Sequence, residues 1–366
     1  MAAWLRRNLT QILVLAGIVL ALAVGAWFAL GQRSLAQRAD LAAVRAADCQ
    51  VTYRSAPVRV RLWLPPGPNG EPGGRDCARI FAAFTPPDGQ APVHVILYAP
   101  AWGGLRDQSS GLTRHLAAQG YLVIGIDDVT EEPAPRGETF AERAARQTLP
   151  DFASDQIWAD SLARGAVRVR LQARKALHVL DTVLAAAAQT PAWRDRIDAA
   201  HVGFFGFSIG GAAAADAALL DARIGAIANL DGSLFGEAAA RPLGRPYLYM
   251  SSDIAAPNEA ALNARAPAQR LYARYVRDDL ALHARLAAAP GGATAMIRGA
   301  VHQSFQDRDT GIQEVRRLLA GPNRALAITS AYVTAFFDAN LRGAPQALGD
   351  LMRTPPEGVA PLPAVN

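Results

Sequence analysis

The spacing of apolar and polar positions changes several times along this chain, and each change marks an element. Val58 to Leu64 alternates, with Val58, Val60, Leu62 and Leu64 on one face and Arg59, Arg61 and Trp63 on the other. Period two with one polar face predicts a half-exposed antiparallel strand at a sheet edge. Short unbroken apolar runs follow at Val93 to Tyr98, Tyr121 to Ile126, Val202 to Phe205, Ile224 to Leu230, Tyr247 to Met250 and Ala293 to Ile297. Strands covered on both faces read this way, so these runs predict the centre of a parallel sheet. Helical stretches lie between most of them, at Gly111 to Gln119, Ser161 to Ala188 and Ile209 to Leu220. The alternation of strand and helix predicts a doubly wound α/β sheet.

Other segments break this rhythm. Ala39 to Ala47 has a helical pattern that fits a spacer, and the Pro/Gly-rich segment Pro65 to Gly74 interrupts the chain before the main domain. Glu131 to Asp160 is rich in Pro, Glu and Arg, while Ile254 to Gly292 carries Leu271, Tyr272, Tyr275 and Leu280 at helical spacing. Both fit either a cover over a pocket or plain surface helices.

The N-terminus has no such alternation. Arg6 and Arg7 precede an uncharged apolar run from Ile12 to Leu30, close to the ~20 residues that span a bilayer. The leading arginines would keep the N-terminus in the cytoplasm. Small residues at Val24-Gly25-Ala26 and Ala29-Leu30-Gly31 also fit cleavage of a signal peptide. Residues 1–38 are therefore expected to form a membrane anchor or signal segment, and residues 39–366 one α/β domain. That domain is expected on the periplasmic side of a bacterial inner membrane, or exported after cleavage. Export would permit a disulfide between Cys49 and Cys77, the only cysteines, but a free pair fits the spacing equally.

Composition narrows the function classes. The 366 residues are 51% hydrophobic, enough for one large core. Lys175 is the only lysine, and the net charge of +5 is spread along the chain rather than gathered in a run, which argues against nucleic-acid binding. Two cysteines without a nearby histidine pair do not make a zinc site, and the serine chemistry read below requires neither metal nor organic cofactor.

The candidate chemistry lies where the run Val202 to Phe205 meets Gly206-Phe207-Ser208-Ile209-Gly210-Gly211. Two glycines flank a serine in the G-x-S-x-G spacing of a nucleophile elbow, where a tight strand-to-helix turn lifts the hydroxyl clear. The small residues after it, Ala212 to Ala215, let the following helix press against a sheet and aim its N-terminal amides at a developing oxyanion. An activated serine needs a base, and His302 follows the last predicted strand, at the end where catalytic groups gather in open parallel sheets. His94, His115, His178, His201 and His283 fall within or beside predicted elements and read as packing or surface residues. For the acid, Asp231 and Asp253 each follow a strand lying between the serine and the histidine, and spacing alone leaves both open.

Three segments resemble the platelet-activating factor acetylhydrolase family: the serine motif, Asn229-Leu230-Asp231, and Arg298-Gly299-Ala300-Val301-His302-Gln303-Ser304-Phe305. The last is similar to the Gly-Ser-Val-His-Gln-Asn-Phe type sequence that carries that family's catalytic histidine, with departures at Ala300 and Ser304. The resemblance implies an α/β-hydrolase fold, an ester hydrolase acting on short acyl chains of phospholipids, and a triad of Ser208, Asp231 and His302. It favours Asp231 because the family's acid follows the strand directly after the nucleophile helix, and 231 minus 208 gives the matching 23 residues. It also implies an oxyanion hole made by the backbone N–H groups of Trp102 and Ile209, although Pro100 and Ala101 stand where a His-Gly pair is typical. General carboxylesterases and cutinase-like polyester hydrolases use the same triad, and a silent hydrolase-like binding protein would retain its outline.

Overall fold

The structure, a computed structural model, describes residues 41, 43–67, 75–89, 91–128, 152–307 and 324–365. The apolar run Ile12 to Leu30, and the connection from Glu131 as far as residue 151, lie outside them. Among the described residues no helix is long and apolar enough to cross a membrane.

The described strands are β1 (Arg45–Tyr53), β2 (Ala56–Leu64), β3 (Val93–Ala99), β4 (Leu122–Ile126), β5 (Ile197–Phe207), β6 (Ile224–Leu230), β7 (Tyr247–Ser251), β8 (Ala293–Ile297) and β9 (Val359–Ala360). They form one sheet in the order β1-β2-β4-β3-β5-β6-β7-β8-β9. Pairing from β4 across to β8 is parallel, whereas β1, β2 and β9 run antiparallel at the margins. The helices are α1 (Cys77–Ala83), α2 (Ser110–Ala118), α3 (Asp155–Gln189), α4 (Ile209–Leu220), α5 (Glu237–Ala240), α6 (Glu259–Leu262), α7 (Pro267–Ala287), α8 (Arg324–Leu341) and α9 (Gln346–Arg353).

Strand alternation divides the core into two layers. On one face Val95 and Leu97 of β3 and Val202 and Phe204 of β5 pack with the inward residues of α1, α3 and α4. On the other, Ile96, Tyr98, Phe205 and Phe207 pack with α2, α8 and α9. Both layers are dry enough that each fully buried side chain contributes roughly 1.5–3 kcal/mol. Helix α4 shows why the small residues are needed. Ala212 to Ala215 and Ala217 are all 0% exposed, so the helix lies against the sheet with no space for larger side chains.

Three expectations are corrected. The helical pattern of Ala39 to Ala47 does not persist, because Arg45, Ala46 and Ala47 open β1. Arg45, Ala47, Cys49 and Val51 face inward in alternation, and the buried Arg45 guanidinium donates to Pro65 O and Thr85 O. An inward arginine hid the period-two pattern. Strand β2 is consequently not at the edge, since β1 covers its outer side, and Trp63 is buried instead of half-exposed. The helix expected from Ser161 begins earlier, at Asp155, where Ser154 caps it by accepting from Ile157 N.

Cys49 and Cys77 are joined as a disulfide with a Cα–Cα distance of 5.1 Å across 28 residues. It ties the marginal strand β1 to α1. Closing a loop of that length restrains the unfolded chain by about 3–4 kcal/mol.

Candidate active site

Ser208 occupies the turn between β5 and α4 at φ 58° and ψ −127°. A non-glycine residue held there costs roughly 1–3 kcal/mol, so its surroundings must impose it. They do so from both sides. Ser208 N donates to Leu230 O at 2.9 Å, and Gly211 N donates to Ser208 O at 2.9 Å. A Cβ on Gly206 would sit 2.2 Å from Gly210 O, and one on Gly210 would sit 2.2 Å from Ala99 O. Both glycines are thus required by close backbone approach.

Asp231 follows β6, also at positive φ (55°). Its N–H donates to Met250 O, and Asn229 staples the loop by accepting from Gly232 N at 2.9 Å and donating to Gly232 O at 2.6 Å. One carboxylate oxygen, Oδ1, accepts from Ser252 N at 2.7 Å and Ser252 Oγ at 3.0 Å. The other lies 2.8 Å from His302 Nδ1. A carboxylate can only accept, so the proton between them sits on Nδ1 and the neutral ring keeps Nε2 as its free base.

His302 opens a short 3-10 turn, His302–Phe305, after β8. Ser304 Oγ accepts from Val301 N at 3.0 Å, and the imidazole lies against the Phe207 ring with centroids 4.7 Å apart. Asp253, the alternative acid, is turned away: its carboxylate accepts from Gly299 N at 2.8 Å and so shapes the histidine loop.

The loop after β3 is tied down residue by residue. Ala101 N donates to Gln108 Oε1 at 2.9 Å, Gly103 N to Asp128 Oδ2 at 3.0 Å and Gly104 N to Ala101 O at 2.8 Å. Gln172 on α3 donates to Pro100 O at 3.2 Å. Trp102 N–H meets no acceptor among the described residues. Asp128, 1% exposed at the end of β4, is held in turn by Arg168 and by Lys175 at 3.3 Å. Arg168 also lies over the Trp102 ring, 5.2 Å from its centroid. The chain's single lysine therefore helps fix the loop that carries Trp102.

Trp102, Ser208, Ile209, Asp231 and His302 all line one cavity of about 320 Å³. Helix α7 roofs it with Tyr272, Tyr275, Val276, Asp279 and Leu280. Burial pushes the phenols of Tyr249 and Tyr275 well above their ordinary value, and the charge of Asp279 adds to the shift, so both stay neutral. Among the described residues no group of His, Cys, Asp or Glu is arranged to hold a metal.

Sequence reasoning missed Asp128, Gln108, Gln172, Ser252 and Asp279. Only Asp128 left a signal, as an acidic residue directly beyond a parallel strand, on the edge where Ser208 and Asp231 lie.

A mostly parallel sheet with helices on both faces, a strained serine between β5 and α4, and an Asp–His pair from later strand ends together define the α/β-hydrolase fold. The solved structure of a ferulic acid esterase from Streptomyces cinnamoneus is similar, with a TM-score of 0.50 and 21% identity over 82% of this chain and 90% of that one. No protein-family model and no curated protein sequence matches this chain.

Proposed function

We propose that the protein is a serine ester hydrolase. The observation that carries this reading is the convergence, on one cavity, of Ser208 in its strained turn and of His302 bonded through Nδ1 to Asp231. Ser208 Oγ attacks the acyl carbonyl while His302 Nε2 takes its proton, then returns that proton to the departing alcohol. Water, deprotonated by the same nitrogen, releases the acid and restores the serine. Asp231 keeps the ring in the correct tautomer and stabilises it when charged.

The tetrahedral oxyanion is held by two backbone amides. Ile209 N–H is the first of α4, where helix geometry supplies no partner, and Trp102, which lines the same cavity, has an N–H that meets no acceptor among the described residues. Each is worth about 3 kcal/mol when aligned.

The cavity is at the small end for a ligand site, which favours short acyl groups. The sequence resemblance carries the finer reading, that the ester belongs to a phospholipid of the platelet-activating factor type. Hydrolysis of short sn-2-acyl phosphatidylcholine vesicles should exceed that of soluble esters with the same acyl group. Turnover confined to soluble esters would reduce the reading to a general carboxylesterase.

A further inference from the structure

The cavity is lined by the triad side, with Asp231, Ser252 and His302, by aromatic and aliphatic residues, and by a second polar corner where α7 presents Asp279 beside Ser233. Among the described residues no lysine or arginine lines the cavity to neutralise this carboxylate. Its side chain is 15% exposed.

The hydrogen bonds around Asp279 all run towards it. Ser233 Oγ donates to Asp279 Oδ2 at 3.2 Å, which spends the single hydroxyl hydrogen of Ser233. Tyr275 must therefore be the donor in its own bond to Ser233. On the far side, Asn229 Nδ2 donates to Tyr247 Oη at 2.8 Å, so the phenol gives its hydrogen to His283 Nδ1, also at 2.8 Å. His283, fully buried and stacked on Tyr249, then turns an Nε2–H towards Asp279 Oδ1 at 3.4 Å. That contact is too long for a good hydrogen bond, and Nε2 has no other partner among the described residues.

Towards the cavity the corner thus presents acceptors: an under-used carboxylate oxygen of Asp279 and the lone pairs of Tyr275 Oη. A partly buried carboxylate with unfilled acceptor capacity is costly until a donor arrives.

We propose that Asp279 reads the substrate: among the esters that enter this site, those with a hydrogen-bond donor, hydroxyl or ammonium, on the group beside Asp279 are preferred, and those with an anionic group there are disfavoured. The proposal rests on the ester-hydrolase reading of Ser208. An anion would face the carboxylates of Asp279 and Asp231 with no lysine or arginine among the described lining residues, whereas a donor fills the acceptor that Asp279 leaves open.

The test is a matched ester series on the full chain. Pentyl acetate is compared with acetates of the same length ending in hydroxyl, dimethylammonium and carboxylate. The same four ends are placed on the acyl side in methyl esters of six-carbon acids. In at least one series a donor-ended ester should exceed its methyl-ended counterpart in kcat/KM by about tenfold or more, with the carboxylate-ended ester lowest. The hydroxyl and ammonium arms say which donor is read. Asp279→Leu should erase the preference, while Asp279→Asn should retain it for hydroxyl and lose it for ammonium. Turnover without discrimination in both series overturns this proposal alone, as does a preference that survives Asp279→Leu. Because the wild-type series is decisive by itself, a variant that fails to fold does not rescue the idea. No turnover of any ester overturns the hydrolase reading as well.

Discussion

The strand-end loops and the α7 roof meet at the same cavity but are built differently. Ser208 and Asp231 sit at positive φ, wedged by Gly206, Gly210 and backbone from neighbouring strands, so their positions are set by the sheet. The roof touches the cavity through side chains on one helical face. Tyr272 and Tyr275 there join Phe152 in a ring cluster at 5.3–5.4 Å, and Tyr272 is 52% exposed. A strand end cannot move without unpairing its sheet, whereas a helix face can exchange side chains. The first region suits bond-making geometry and the second suits choice of substrate.

The sharpest way to break that division is at the two aspartates. Asp231→Asn should lower kcat by about ten-thousandfold, because the amide would favour the wrong histidine tautomer. Asp253→Asn touches only the Gly299 amide and should cost less than about tenfold. Steady-state kinetics on one soluble ester compares them, and the reverse ranking would move the acid to the end of β7.

A smaller effect is expected one shell further out. Asp128→Asn leaves an acceptor for Gly103 N but removes the charge that Arg168 and Lys175 hold. The loop bearing Trp102 should loosen, lowering kcat by up to about a hundredfold with KM little changed, measured well below the melting transition. A rise in KM alone would mean that the loop serves binding and not the oxyanion. The Asp279 variants complete the contrast, since they should redistribute preference among esters.

Much of the strand-end region was legible because its constraints are local. Glycines two residues either side of a serine, and a histidine just beyond an apolar run, follow from backbone crowding and strand polarity. The strands from β3 to β8 were visible as apolar runs for the same reason. Strand β1 was not, because its inward Arg45 is satisfied by carbonyls of Pro65 and Thr85, brought near only by the fold. The choice between Asp231 and Asp253 depended on which loop turns toward His302, which spacing does not contain. The Asp128 network spans about forty residues to α3, and a buried acid in sequence looks like any exposed one. Asp279 lies one helical turn beyond Tyr275, so the face was readable, but nothing local tells that this face looks into a cavity.

The central claim concerns one hydroxyl. Treatment of the full chain with a fluorophosphonate probe, followed by peptide mass mapping, should give a single phosphonylated peptide modified at Ser208, with labelling and ester turnover both lost in a folded Ser208→Ala variant. Labelling elsewhere, or ester hydrolysis retained by Ser208→Ala, would contradict the account.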